Sequence, residues 1–289
     1  MLIQPRSMLF VSGEKPERFP KALAAGADLV CIDLEDAVHP NRKTEARAAV
    51  FNFATQHIRA PGQPMLAVRL NSLRTADGLK DALALIDSGA VFDFLLLPKV
   101  EFAEDITLIH AWAAHAFKAL AVLIETPLGV ENAPAMARAV RHGGDKLAAL
   151  MLGGADLSVE LGCSFGWDGL LHARGTLVNA AKSSGLQVWD VPHLDLKDLD
   201  GLLEETRAVL RLGFTCKSAI HPQQIATIHK AFVPAASELD WARALVTASQ
   251  MREASGQTAG AFLHQGKMVD PPVLAKALRI IEISERSDA

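Results

Sequence analysis

Cysteine is scarce in this chain. Cys31, Cys163 and Cys216 are the three among 289 residues, far apart and without paired spacing. An odd, scattered set argues against a disulfide framework and a zinc site, and suits the reducing cytoplasm. Long blocks of like charge are also missing and the net charge is only −4, so nothing points to nucleic acid. No apolar run reaches the roughly 18 residues of a membrane span. The first thirteen residues hold one basic side chain and an apolar run of four or five, too short for a signal peptide. A soluble cytoplasmic protein without a membrane or nucleic-acid partner is expected. A glycine fingerprint after the first strand-like run is absent too: Ser12-Gly13-Glu14-Lys15 is not one, which ranks an open dinucleotide-binding sheet second.

What the chain does have is a rhythm. Half of it is hydrophobic and about a fifth is charged, enough for one large globular domain or a domain with an appendage. Short apolar runs at 8–11, 29–34, 65–70, 94–97, 121–124, 148–152, 187–191 and 217–220 read as buried strands. Stretches of helical periodicity at 17–25, 43–58, 75–88, 104–117, 133–142, 170–184, 198–212 and 223–231 alternate with them. Gly26, Gly89, Gly185 and Gly213 stand just past helix ends, where a left-handed cap favours glycine. Eight strand–helix units predict an α/β fold, a (β/α)8 TIM barrel, over 1–236. Residues 237–289 break the rhythm: a helix to 254, a flexible segment over 255–267 with Gly256, Gly260 and Gly266, and a last helix to 287. Such a segment between helices reads as a lid, as a dimer arm or as a poorly ordered tail.

In a parallel barrel the chemistry collects at the carboxyl ends of the strands. Those ends carry Ser12, Glu35 with Asp36, Arg69 with Asn71, Lys99 with Glu101, Glu125, Asp156, Asp190 with His193, and His221. Glu125 opens Glu125-Thr126-Pro127-Leu128-Gly129 after one buried run, and Asp156 closes Gly153-Gly154-Ala155-Asp156 after the next. Either acid alone is explained as a helix cap. Together, with no histidine or cysteine cluster, they select an oxygen-loving ion, Mg²⁺ or Mn²⁺. Arg69 is suited to grip a substrate carboxylate with its planar fork. Glu35 and Asp36 are placed to hold metal-bound waters, and Lys99 and Glu101 to pair with each other at the rim. His221 reads as a structural hydrogen-bonder.

The motifs Arg6-Ser7-Met8-Leu9-Phe10-Val11, Asp33-Leu34-Glu35-Asp36-Ala37-Val38, Val68-Arg69-Leu70-Asn71, Leu97-Pro98-Lys99-Val100-Glu101, Ile124-Glu125-Thr126-Pro127, Gly153-Gly154-Ala155-Asp156-Leu157, Ile220-His221-Pro222-Gln223 and Gly266-Lys267-Met268-Val269-Asp270 occur in this order over nearly the whole length. In them the chain resembles the HpcH/HpaI aldolase and citrate lyase β-subunit family, in particular its stand-alone citrate-lyase-β-like, malyl- or citramalyl-CoA lyase branch. The resemblance implies a TIM barrel with a C-terminal helical arm, assembled as homotrimers or homohexamers. It implies Mg²⁺ on Glu125 and Asp156 and the oxo-acid carboxylate on Arg69, with Gly154 and Ala155 beside the substrate. Asp270, on the arm, is implied as acid/base in a neighbouring subunit's site. CoA is implied near Arg18 and Lys21. Ser12 stands where the family often has proline, and Glu14-Lys15-Pro16-Glu17 makes a more acidic first loop than many CoA-binding members show. The implied activity is Mg²⁺-dependent carbon–carbon cleavage of a 3-hydroxyacyl-CoA thioester to a 2-oxo acid and acetyl-CoA. The rivals are a metal-dependent aldolase on free hydroxy-oxo acids, a malyl-CoA thioesterase, and a citrate lyase β subunit acting on a carrier-protein thioester.

Overall fold

A computed structural model describes residues 4–139, 146–255 and 260–287. His142, the expected end of one helix, and Gly256 in the expected flexible segment lie outside the described residues. The chain divides into two compact units, 1–228 and 229–289.

The first unit is built on eight parallel strands closed into a barrel. They are β1 (Ser7–Ser12), β2 (Leu29–Asp33), β3 (Met65–Arg69), β4 (Phe92–Leu97), β5 (Phe117–Ile124), β6 (Leu147–Leu152), β7 (Gln187–Asp190) and β8 (Cys216–Ala219). Closure is made by β1 against β8, with Met8 opposite Ser218 and Leu9 opposite Ala219. Strands buried on both faces need no polar alternation, which is why they read as continuous apolar runs. One set of alternate residues, including Met8, Leu29, Cys31, Met65, Ala67, Phe94, Leu96, Ala121, Leu123, Met151 and Trp189, fills the barrel interior. The other set, including Ile32, Val68, Leu95, Val122, Leu150 and Val188, packs with the helices.

The helices of this unit are α1 (Phe19–Leu23), α2 (Lys43–Gln56), α3 (Ala76–Ser88), α4 (Ala103–Ala113), α5 (Pro127–Ala139), α6 (Gly154–Leu161), α7 (Trp167–Ser183) and α8 (Leu199–Leu212). A ninth, α9 (Gln224–Phe232), runs across the division. Gly26, Gly89, Gly185 and Gly213 all take positive φ, as their positions after helices required.

Four expectations need correction. The helix expected over 17–25 is a 3-10 turn (Pro16–Arg18) followed by the short α1. The helix expected to reach Phe117 ends at Ala113, and Phe117 opens the longest strand, because an apolar run does not itself distinguish helix from strand. The helix expected from 133 begins at Pro127, which stops β5 and is also tolerated in a helix's first turn. Helix α6 lies outside the helical stretches expected from periodicity; it starts at Gly154, so Asp156 stands in its first turn and not before it.

The second unit holds α10 (Ala236–Ala254), β9 (Phe262–His264), β10 (Lys267–Val269) and α11 (Pro271–Ser287). The two strands form an antiparallel hairpin, correcting the reading of 255–267 as flexible throughout. Its turn is Gln265-Gly266, both at positive φ (52° and 75°), the geometry that two-residue hairpin loops favour. Ala242, Leu245, Val269 and Ala277 form its small core.

Candidate active site

The inward alternation of the barrel strands dictates the site. Leu29 and Cys31 point inward, so Asp33 does too; Met65 and Ala67 bring Arg69; Ala121 and Leu123 bring Glu125. Asp33 and Arg69 are register partners on β2 and β3. Arg69 donates from Nε to Asp33 Oδ1 and from Nη2 to Asp33 Oδ2, both at 2.6 Å. Its Nη1 lies 2.8 Å from Glu35 Oε2, and its guanidinium sits over the Phe10 ring, 5.2 Å from the centroid. The fork expected to be open for substrate is therefore engaged by Asp33 along one edge. Asp33 was quoted only as part of a motif and given no role; the alternation Leu29, Cys31, Asp33 was the signal that could have found it.

Lys99 ties the remaining acids together. Its backbone N–H donates to Glu125 Oε1 at 2.7 Å. Its ammonium lies 3.1 Å from Glu35 Oε1 and 2.9 Å from Asp156 Oδ2, so the expected Lys99–Glu101 pairing gives way to these partners. Glu125 is buried against the backbone that leads to Asp156: a Cβ on Gly153 would lie 2.3 Å from Glu125 Cβ and 2.5 Å from Oε2. Neither acid is a simple helix cap. Thr126 Oγ1, not Glu125, accepts the Gly129 N–H at the start of α5, and Asp156 turns to Lys99.

The loop carrying Glu35 is held from behind. Lys43 donates to Leu34 O, Glu35 O and Asn71 Oδ1 at 2.7–2.8 Å. Asn71, expected at the rim, is buried and donates to Leu34 O and Asp81 Oδ2. Nothing in the sequence singled out Lys43 for this.

The electrostatics of the cluster are lopsided. Burial would raise the Asp33 carboxyl, but the Arg69 charge and hydrogen bonds, with the Glu35 and Ala37 N–H groups, hold it below its ordinary value. Glu35 is raised, by burial first and by Asp36 as well, against Arg69 and Lys99. Glu125 is pushed up to about 8, by burial and then by the Glu35 charge, against Arg69 and the Lys99 N–H. Glu35 Oε2 is buried and, although near Arg69, has no aligned hydrogen bond. Fully ionised, the acids Asp33, Glu35, Glu125 and Asp156 are met among the described residues by the charges of Arg69 and Lys99, leaving two negative charges unbalanced. A divalent cation fits that deficit, and an all-oxygen donor set suits a hard one. Among the described residues no three Asp, Glu, His or Cys side chains are grouped so that they alone could hold a metal ion.

Other expected site residues lie elsewhere. Asp36 is exposed next to Glu35, and Gly154 and Ala155 open α6. Arg18 and Lys21 are exposed on the first turn and helix after β1. Asp190 is no rim residue: it is fully buried, paired with Arg174 at 3.0 Å and Lys217 at 2.6 Å. His193 is drawn to Glu205, its Nδ1 2.8 Å from Oε2. His221 is exposed and accepts the Gln223 N–H at Nδ1, a turn-forming role. In the second unit, Asp270 Oδ1 accepts the Val273 N–H and caps α11.

Residues 6–222 match the family described as HpcH/HpaI aldolase/citrate lyase. The chain belongs to this family. The enzyme is accordingly a lyase of the HpcH/HpaI group. It is 36% identical over 276 residues to the citrate lyase subunit beta-like protein of Mycobacterium tuberculosis (strain CDC 1551 / Oshkosh), covering 93% of this chain and 92% of that one. It is 31% identical over 297 residues to the mitochondrial citramalyl-CoA lyase of Rattus norvegicus, covering 96% and 86%. A crystal structure of CitE from M. tuberculosis, in complex with magnesium, acetoacetate and coenzyme A, superposes on this HpcH/HpaI member with a TM-score of 0.83 at 34% identity, covering 99% of this chain and 100% of that one. No helix among the described residues is long and apolar enough to cross a membrane.

Proposed function

We propose that this enzyme is a Mg²⁺-dependent carbon–carbon lyase that cleaves a 3-hydroxyacyl-CoA thioester of the citramalyl-CoA or malyl-CoA type. The products are a 2-oxo acid (pyruvate or glyoxylate) and acetyl-CoA. The observation that carries the reading is the charge deficit at the barrel mouth: four converging carboxylates against two cations. Support for magnesium and for CoA comes from the CitE complex, and support for the reaction from the citramalyl-CoA lyase relative.

In this reading Glu125 and Asp156 hold the ion. When bound, Mg²⁺ supplies Lewis-acid polarisation of the substrate's neighbouring carboxylate and hydroxyl oxygens. Arg69, locked by Asp33, turns its remaining N–H groups to the substrate carboxylate. Glu35, with Asp36 beside it, orders water next to the ion. Gly154 and Ala155 border the substrate, and Arg18 and Lys21 meet the CoA. Asp270, on the arm of a neighbouring subunit in a homotrimer or homohexamer, accepts the hydroxyl proton. The hydroxyl oxygen then forms the oxo acid's carbonyl. The bond between the carbinol carbon and the thioester's α-carbon breaks, and its electron pair leaves as the enolate of acetyl-CoA, which takes a proton at carbon.

A panel of CoA thioesters, with and without Mg²⁺, tests the proposal. The expected result is release of an oxo acid and acetyl-CoA in amounts equal to the substrate consumed, abolished by chelator and by Glu125→Ala or Asp156→Ala. Undiminished activity in either variant overturns the metal assignment. Free malate with free CoA would point instead to a thioesterase, and activity only on an acylated carrier protein to a citrate lyase subunit.

A further inference from the structure

One residue reaches three of the site's acids. The Lys99 N–H holds Glu125 Oε1 at 2.7 Å, while its ammonium stands 3.1 Å from Glu35 Oε1 and 2.9 Å from Asp156 Oδ2. The backbone there takes φ +54°, a left-handed conformation that glycine adopts freely and a lysine does not. Glycine would offer the same N–H to Glu125 without that cost. The lysine side chain must therefore contribute something of its own, and what it adds is a positive charge between acids from two different strand ends.

That charge lies against Asp156 Oδ2, an oxygen of one of the two carboxylates assigned to the ion. Two cations sharing one carboxylate repel each other. The Lys99 side chain is 37% exposed, so its ammonium has a path toward solvent while its backbone N–H stays on Glu125. We propose that Lys99 is the internal counter-ion of the metal-free site: it holds Glu35 and Asp156 together when no ion is present, and it competes with the ion for Asp156. The inference rests on Asp156 being a metal ligand, as proposed above. It makes Lys99 a positioning residue that keeps the acids assembled in the empty enzyme and moderates the affinity for the ion.

The test compares the full-length wild type with Lys99→Met, which removes the charge and keeps most of the side-chain length, and with Lys99→Arg, which retains the charge. Mg²⁺ binding is measured by calorimetry, and thermal unfolding is followed in chelator and at saturating Mg²⁺. Lys99→Met is expected to bind Mg²⁺ about tenfold more tightly, as loss of one nearby like charge predicts. It should unfold at a lower temperature than wild type in chelator, and gain more from Mg²⁺. Lys99→Arg should follow the wild type in both measurements. Normal binding by the wild type with no tightening in Lys99→Met overturns the competition. Equal unfolding temperatures in chelator overturn the counter-ion role. A wild type that takes up no Mg²⁺ overturns the metal reading itself, and the competition with it.

Discussion

Arg69 and Asp33 meet edge to edge on neighbouring strands, with two parallel hydrogen bonds of 2.6 Å. Asp33 is buried, and burial alone would drive its carboxyl toward the neutral form; the guanidinium together with the Glu35 and Ala37 N–H groups outweighs that. Removing the acid leaves Arg69 buried with Glu35 as its remaining close partner. Asp33→Ala should therefore lower stability by about 3–5 kcal/mol, the usual cost of breaking a buried pair from one side. It should also cut kcat/KM by about a hundredfold or more, because the guanidinium loses its fixed orientation. Denaturant unfolding and steady-state kinetics at saturating Mg²⁺ check the two effects, and an unchanged unfolding midpoint would contradict the first.

Gly153 is needed for closeness rather than for backbone freedom. A methyl group there would overlap Glu125 at 2.3–2.5 Å, well inside contact distance. Gly153→Ala should push the Glu125 carboxylate out of place while the barrel still folds. The expected signature is Mg²⁺ affinity reduced at least about tenfold, since small displacements of a ligand are costly, together with a lowered melting temperature, because the nearest atom is Glu125 Cβ, which no rotamer change moves away. Wild-type affinity in the variant would show that Glu125 does not depend on this contact.

The barrel could be read from sequence because both faces of each strand are buried, which turns eight strands into eight apolar runs separated by helical periodicity. Glu125, Asp156 and Arg69 were legible for a related reason: a charge at the end of such a run has nowhere to go but the mouth. Asp190 obeys the same pattern and misleads. Its neighbour Trp189 faces the barrel interior, so Asp190 points outward to the helix layer, where Arg174 and Lys217 meet it. Inward or outward parity separates Asp33 and Glu125 from Asp190, whereas Asp156, four residues past the end of β6, is placed by α6. Lys99 was legible as a rim residue but its ammonium partners were not, and Lys43 was missed altogether, because such partners depend on where flexible four-carbon stems end, which no spacing encodes. The hairpin at 262–269 was hidden by its short strands, and only the Gln265-Gly266 turn marks it.

The Asp190 network supports its own prediction. The Lys217 ammonium is fully buried between Asp190 and Glu205, and Arg174 contacts Asp190 from α7. Lys217→Met leaves two acids sharing one arginine, and should cost about 3 kcal/mol or more. Adding Asp190→Asn removes the excess charge, so the double variant should recover part of that loss rather than add to it. Activity per folded molecule should stay near wild type in both, because the network lies between sheet and helices. Unfolding of the two singles and the double, run as a cycle, decides: strict additivity would mean that the charges do not interact.

Asp93 makes the acid limb of stability testable at the opposite end of the barrel. It accepts from the Leu66 N–H at 2.9 Å and from Lys118 at 2.8 Å, and lies 3.3 Å from Arg59. Burial raises its carboxyl, but these partners outweigh it and hold the folded value below the ordinary one. A folded pKa below the unfolded one means that the contribution is complete above the unfolded value, near 4. It fades as the pH falls through the lower, folded value. Lys118 is 63% exposed, so its pair is worth little, and most of the effect comes from the charge-assisted bond to the Leu66 N–H. Asp93→Asn should cost about 1 kcal/mol at neutral pH. The gap to wild type should stay level down to about pH 5 and then close as the wild-type carboxylate protonates. Unfolding midpoints measured across that range check the sign: a gap that widened in acid would mean that Asp93 is destabilised, not stabilised, as an anion.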